Sequence, residues 1–262
     1  MEEKNKELRQ KQKDRLEDAI VQYREAAQEG DARAQYGLAR PYYQYNEYGK
    51  SFYWWEKSAE NGLNAACMRV AVQCAYGIGT EKDENKALDY IWRAVKGDPD
   101  DTDALCYLGM FYEEGIGVEV SMEQAMICYQ QAAEKGSGIA CFTIAMAFFY
   151  GNNMEEDTQA ALEWANKAAE LNYEEAQYFL GLQYYLGDRV ERDLDQSLKY
   201  LRSSVENGSK DGQQLLPVVA REISVEAQMR DVTAFQQMLD QYEAYMMQAA
   251  EKMGFADEEE EE

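Results

Sequence analysis

The sequence predicts an all-α fold: a right-handed α-α superhelix, or solenoid, of about five to six helix-pair repeats. Three observations predict it. A small residue recurs as Ala34, Ala66, Ala104, Ala140, Ala176 and Gly212, at intervals of 32, 38, 36, 36 and 36 residues. Each interval has room for two helical segments, the signature of a stacked repeat architecture. Within the intervals, glycines and capping residues return at fixed offsets from that anchor. Finally, only 3 of 262 residues are proline, and alanine, glutamate, glutamine and methionine recur throughout, a mix that favours helix.

Taken in order, residues 1–13 are almost wholly polar and read as an exposed lead-in. From Asp14 to Gly30 the chain presents Ala19, Tyr23, Ala26, Ala27 and Gly30, which match Ala125, Tyr129, Ala132, Ala133 and Gly136 one for one. The chain therefore opens on the second half of a repeat. Complete repeats are expected over about 34–62, 63–98, 99–136, 137–172 and 173–208, with capping helices over 209–254, all in one domain spanning 1–254. Residues 255–262 read as an acidic, disordered tail. The first repeat has a shortened turn around Asn46–Lys50, and the interval of 38 comes from two extra residues near Pro99.

Four places after each anchor stands a large aliphatic residue: Leu38, Val70, Leu108, Ile144, Leu180 and Leu216. One place further the residue is small: Ala39, Ala71, Gly109, Ala145 and Gly181. Eight places after the anchor come Tyr42, Cys74, Tyr112, Phe148 and Tyr184. Offsets four and eight share a helical face, so this is the expected core, with the small residue admitting a close neighbour. Gly77, Gly115, Gly151 and Gly187 then close the first helices, and Asp83, Ser121, Asp157 and Asp193 open the second ones as N-caps. Ser121 with Gln124 and Asp193 with Gln196 have capping-box spacing. In the last unit Pro217 replaces the small residue, which predicts a longer, kinked helix to about Met229 and a separate final helix from about Asp231 to Met253.

The pattern A-x-x-x-L-G-x-x-Y-x-x-G-x-G-V followed by A-x-x-x-Y-x-x-A-A-E-x-G, clearest over 104–136, resembles the Sel-one-like repeat (SLR) family, a relative of the tetratricopeptide (TPR) repeats. The resemblance covers roughly residues 14–208. It implies an SLR/TPR-like α-solenoid and adaptor or scaffold roles: assembling complexes, regulating partners, bacterial contacts with hosts, or immunity proteins that block toxins. A secreted branch of that family pairs two cysteines within each repeat. Cys67, Cys74, Cys106, Cys128 and Cys141 show no such regular pairing, and they read as reduced thiols.

Nothing in the sequence signals a chemistry, so a non-enzymatic protein with no cofactor and no metal is expected. The chain has no histidine, which removes His-based acid–base and nucleophile systems and the commonest zinc sites. Gly49-Lys50-Ser51 resembles the end of a phosphate-binding loop, but Gln44 stands where its first glycine belongs. The net charge of −24 repels phosphates and anionic lipid, so neither nucleic acid nor membrane is expected as a partner. No apolar run begins or spans the chain, and the cytoplasm is the expected location.

Offsets two, six and nine form a second stripe on the first helices, and it is strongly apolar. The residues expected to hold a protein partner are Tyr36, Met68, Met110, Phe142, Met146, Phe149, Tyr178, Leu182 and Tyr185. Two readings stand. Either adjacent repeats bury this stripe, or it is an open concave groove for an extended peptide or partner helix, since interfaces favour aromatics and methionine. In the second reading the function is an interaction scaffold whose partner is apolar at its centre and basic around it. The alternative is an acidic inhibitor or immunity-type protein that occludes a basic toxin or enzyme.

Overall fold

The computed structural model describes Lys11, Glu17, residues 20–151 and residues 155–252. The expectations for Ala19, most of the polar lead-in and the acidic tail lie outside the described residues. The elements run α1 (residues 20–28), α2 (Ala32–Gln44), α3 (Tyr48–Glu60), α4 (Asn64–Tyr76), α5 (Glu84–Gly97), α6 (Thr102–Glu114), α7 (Met122–Glu134), α8 (Gly138–Tyr150), α9 (Thr158–Glu170), α10 (Glu174–Leu186), α11 (Leu194–Glu206) and α12 (Lys210–Lys252). No strand occurs among the described residues. The fold is all-α, a tandem series of helix pairs of the α-solenoid class. Packing groups the chain into two compact units, one reaching Tyr173 and one beginning at Glu174.

In the first unit each helix packs on its sequence neighbours: α2 on α3, α4 on α5, α6 on α7 and α8 on α9, with α3–α4, α5–α6 and α7–α8 joining the pairs. In the second unit α10 packs on α11, and α12 packs mainly on α11. The anchor alanines from Ala34 to Ala176 are buried, as are Leu38, Val70, Leu108, Ile144 and Leu180. A small residue at these positions lets helix backbones approach, and an aliphatic one four places on fills the space between them. At offset eight only Cys74 is buried; Tyr42, Tyr112, Phe148 and Tyr184 are half-buried, their rings too long to end inside the pair. In the last unit Leu216 is half-buried and Val219 is fully buried instead. Its helix packs on α11 and α10.

The turn chemistry follows the sequence. Gly77, Gly115 and Gly151 close their helices in the left-handed region at φ 67°, 75° and 65°. Where the first repeat lacks a glycine, Asn46 takes φ 63° and its side chain accepts a hydrogen bond from the Tyr48 hydroxyl at 2.6 Å. The second glycine of the Gly-x-Gly turn answers a different demand. Gly79 lies against the backbone of Tyr48, and Gly117 lies against that of Glu84, so each turn touches the start of the preceding repeat's second helix with no space for a Cβ.

Asp83, Ser121, Asp157 and Asp193 all accept a backbone N–H of the helix they open. The capping boxes do not close reciprocally. The N–H groups of these four caps donate instead to the carbonyls of Cys74, Tyr112, Phe148 and Tyr184, at 2.8–3.0 Å. These acceptors are four of the five offset-eight residues; the fifth, Tyr42, accepts from the N–H of Glu47, the N-cap of α3, at 2.8 Å, so one backbone clasp recurs in five successive pairs. Asp31, Asp101 and Ser137 cap the first helices in the same side-chain fashion.

The C-terminal end departs from expectation. α12 is a single helix of 43 residues with Pro217 inside it, and no break separates Met229 from Asp231. Beyond Pro217 the helix contains neither glycine nor proline, so nothing local interrupts it.

Candidate functional site

The first helices of the first unit share a face on which three cavities open side by side. One holds about 450 Å³ and is lined by Met68, Arg69, Asp103, Cys106, Tyr107, Met110, Glu113, Tyr129, Ile139 and Thr143. Arg69 also lines a smaller space of about 140 Å³, with Tyr36, Arg40, Tyr43, Gln44 and Trp55. Tyr36, Arg40 and Gln44 in turn line a third of about 480 Å³, with Gln22, Tyr23, Arg33, Gly37 and Pro41. Shared residues make the three one continuous groove within this unit.

Of the residues expected in the groove, Tyr36, Met68 and Met110 are brought together here. Met68 is only 6% exposed and forms floor, while Met110 and Tyr36 are half-buried and reachable. Phe142, Met146 and Phe149 do not line these cavities. The Phe142 ring packs 5.6 Å from that of Tyr173, and Phe149 is 8% exposed, edge-on to Tyr150. The stripe is thus open around Met110 and filled around Phe149. In the second unit Tyr178, Leu182 and Tyr185 are half-buried. Tyr178 and Tyr185 pack against the cluster of Leu194, Leu201 and Val219.

Arg69, Asp103, Tyr107, Ile139 and Thr143 were not anticipated. They stand one before or three after their anchors, so the open face is rotated by about one position from the stripe at offsets two, six and nine. The signal was present, because helical side chains lean toward the N-terminus and cover the turn before their own Cα. Tyr129 enters from the second helix. Its ring lies where a Cβ on Gly109 would stand, 2.6 Å from Cε1, and so reaches through the helix pair to the groove.

There the Tyr129 hydroxyl donates to Glu113 Oε2 at 2.8 Å. Burial first, then the neighbouring carboxylate, push its ionisation far up. The Tyr76 hydroxyl donates to Glu114 Oε2 at 3.0 Å, and burial together with that acceptor pushes it up to about 12. Burial raises the Cys106 thiol to about 11, so it stands in the groove as a neutral thiol 3.8 Å from Ser137 Oγ. Among the described residues no group of three or more Cys, Asp or Glu is arranged to hold a metal ion. What the cavity over Met110 offers is an apolar floor edged by one guanidinium and two carboxylates.

The Sel1 repeat model matches residues 32–63, 64–95, 102–137, 138–173 and 174–209. The Sel1-repeat-containing protein YjcO of Escherichia coli is 25% identical over 183 residues, 55% of this chain and 80% of YjcO. Among solved structures, a Sel1 repeat protein from Oxalobacter formigenes superposes with a TM-score of 0.58 at 26% identity, over 70% of this chain and 76% of that one. The uropathogenic E. coli antigen c5321, which displays an SLR fold, superposes at 0.54 and 24% identity, over 78% of this chain and 44% of that one. The five matched segments coincide with the five helix pairs and cover most of the sequence: the chain belongs to the Sel1 repeat family.

Proposed function

We propose that this protein is a non-enzymatic interaction scaffold that holds an extended peptide, or a short exposed segment of a protein partner, in the groove of its first unit. One observation carries the reading. Side chains fill the interiors of the helix pairs, yet about 450 Å³ stays open above Met68, Tyr107 and Met110. Interiors are normally packed without such voids, and an apolar space with a few polar groups at its edge is what a docked side chain needs. Tyr107 and Met110 provide contact area and adaptability, and Asp103 with Glu113 favour a basic residue of the partner on that side.

A fully buried apolar anchor contributes about 1.5–3 kcal/mol, so three or four such side chains are needed for micromolar affinity once association costs are met. The test is affinity capture from the native cell with wild type, Met110→Glu and Tyr107→Ala, followed by mass spectrometry. A partner lost from both variants while their melting temperatures stay near wild type supports the groove. A partner retained by both sinks it.

A further inference from the structure

Charge is unevenly spread along this groove. The chain has 50 acids and 26 bases, yet Arg33, Arg40 and Arg69 all line the end nearest α1 and α2. Arg33 and Arg40 stand seven residues apart on α2, two turns along one face. Arg69 comes from α4, and its guanidinium feels the Tyr36 hydroxyl and the Asp103 carboxylate. Among the described residues none of the three arginines has a carboxylate within ion-pairing distance; the ion pairs lie elsewhere. In a chain with twice as many acids as bases, three unpaired guanidiniums in one groove require explanation. A guanidinium presents a planar fork that matches a carboxylate with two parallel hydrogen bonds.

Resting on the groove reading above, we propose that the bound peptide carries an aspartate or glutamate on one side of its apolar anchor, and that Arg40 and Arg69 hold its carboxylate. The anchor occupies the cleft over Met110, between α4, α6 and α8. The arginines line the next cavity, between α2 and α4. Neighbouring helices are about 10 Å apart and an extended chain advances about 3.4 Å per residue, so the acid stands roughly three residues from the anchor. With Glu113 edging the cleft over Met110, the groove reads a dipolar segment: acid, apolar, base. A nucleic-acid strand presents phosphates along its whole length and meets the net charge of −24, which a single carboxylate on a short peptide does not.

A random dodecapeptide display library, selected on the whole chain and on Arg40→Gln/Arg69→Gln, tests this. The expected outcome is peptides with a large apolar residue and an Asp or Glu about three positions to one side. The double variant keeps the apolar preference and loses the acidic one. A synthetic copy of the strongest peptide binds the double variant about tenfold or more weakly. Changing its acid to lysine weakens binding to the wild-type chain equally, a result independent of how the variant folds. Selected peptides without an acid preference, or an acid preference kept by the variant, overturn the proposal while leaving the groove in place. Selection of no peptide overturns the groove reading and this one together. Displacement of the peptide by a short single-stranded oligonucleotide reassigns the arginines to phosphate and overturns the carboxylate.

Discussion

The Tyr129 hydroxyl donates to Glu113 Oε2 at 2.8 Å across the gap that Gly109 leaves in α6. A residue of a second helix thereby forms part of the wall on the first-helix face. Gly109→Ala places a methyl group 2.6 Å from the Tyr129 ring, so the ring must move. Overpacking of this kind costs about 1–3 kcal/mol, and urea unfolding measures it. Tyr129→Phe keeps the ring and loses a bond to a charged acceptor, at about 1.5–3 kcal/mol. Pairing Gly109→Ala with Tyr129→Ala removes the clash, so the double variant loses less than the sum of the two single losses. Additive losses refute the coupling.

Alkaline pH erodes stability in a defined window. Burial raises Cys74, Cys106 and Cys128 to about 11, and Tyr76 is raised to about 12. Tyr129 is raised further in the same direction. For an acid whose folded-state pKa lies above its unfolded one, the contribution is complete below the unfolded value and fades as pH climbs through the folded one. Unfolding midpoints should therefore be insensitive to these groups below about pH 8, and fall progressively between about 9 and 12. Tyr129→Phe should flatten the fall above about pH 10; an unchanged slope removes Tyr129 from the account.

Phe149→Ala should act on stability. Phe149 is 8% exposed, and its truncation leaves a cavity costing roughly 3 kcal/mol, read as a lower melting temperature. Met110→Ala, on a half-buried side chain at the edge of the cleft, should cost far less. Equal losses would mean that the cleft over Met110 is closed.

Two glycines with positive φ separate strain from crowding. Gly62, at φ 92°, has nothing near the position of a Cβ, so Gly62→Ala carries only the left-handed penalty of about 1–2 kcal/mol. Gly79, at φ 75°, lies against the backbone of Tyr48, which cannot swing aside as a side chain does. Gly79→Ala should cost at least twice as much. Similar denaturant midpoints for the two variants contradict the contact between repeats.

A polar link recurs in the first and fifth pairs. Asn61 Nδ2 donates to Gln35 Oε1, and Asn207 Nδ2 donates to Gln177 Oε1, each at 2.9 Å. The second, third and fourth pairs carry Cys67, Leu105 and Cys141 at the glutamine position. Asn61→Ala leaves the buried Gln35 oxygen without that donor, and calorimetry should show a loss of about 1–3 kcal/mol. A loss below about 0.5 kcal/mol would mean the link is solvent-replaced.

The architecture was legible because its signals are local. The anchors at Ala66, Ala104, Ala140 and Ala176, the caps at Asp83 and Ser121 and the glycines at 77 and 115 each act within a few residues. The groove was legible only in part, because side chains from other helices decide which of two adjacent faces stays open. Met68, at offset two, and Met110, at offset six, belong to one stripe yet differ in burial, and Arg69 and Tyr107 replaced Phe142 and Phe149 as lining. The Asn61–Gln35 link joins residues 26 apart and carries no spacing signature of its own.

The backbone clasp from Asp83 to Cys74, repeated from Ser121 to Tyr112 and from Asp157 to Phe148, closes a loop of under a dozen residues. Such short closures cost little chain entropy, and every pair contains its own. Synthesis adds roughly 5–20 residues per second, so a new pair emerges from the ribosome every few seconds, able to fasten itself before its successor exists. Growth from one end, with each finished pair serving as template for the next, leaves few moments when a long apolar stretch is naked in the cell. It also makes the 36-residue pair the natural unit in which such a chain is lengthened or shortened over evolutionary time.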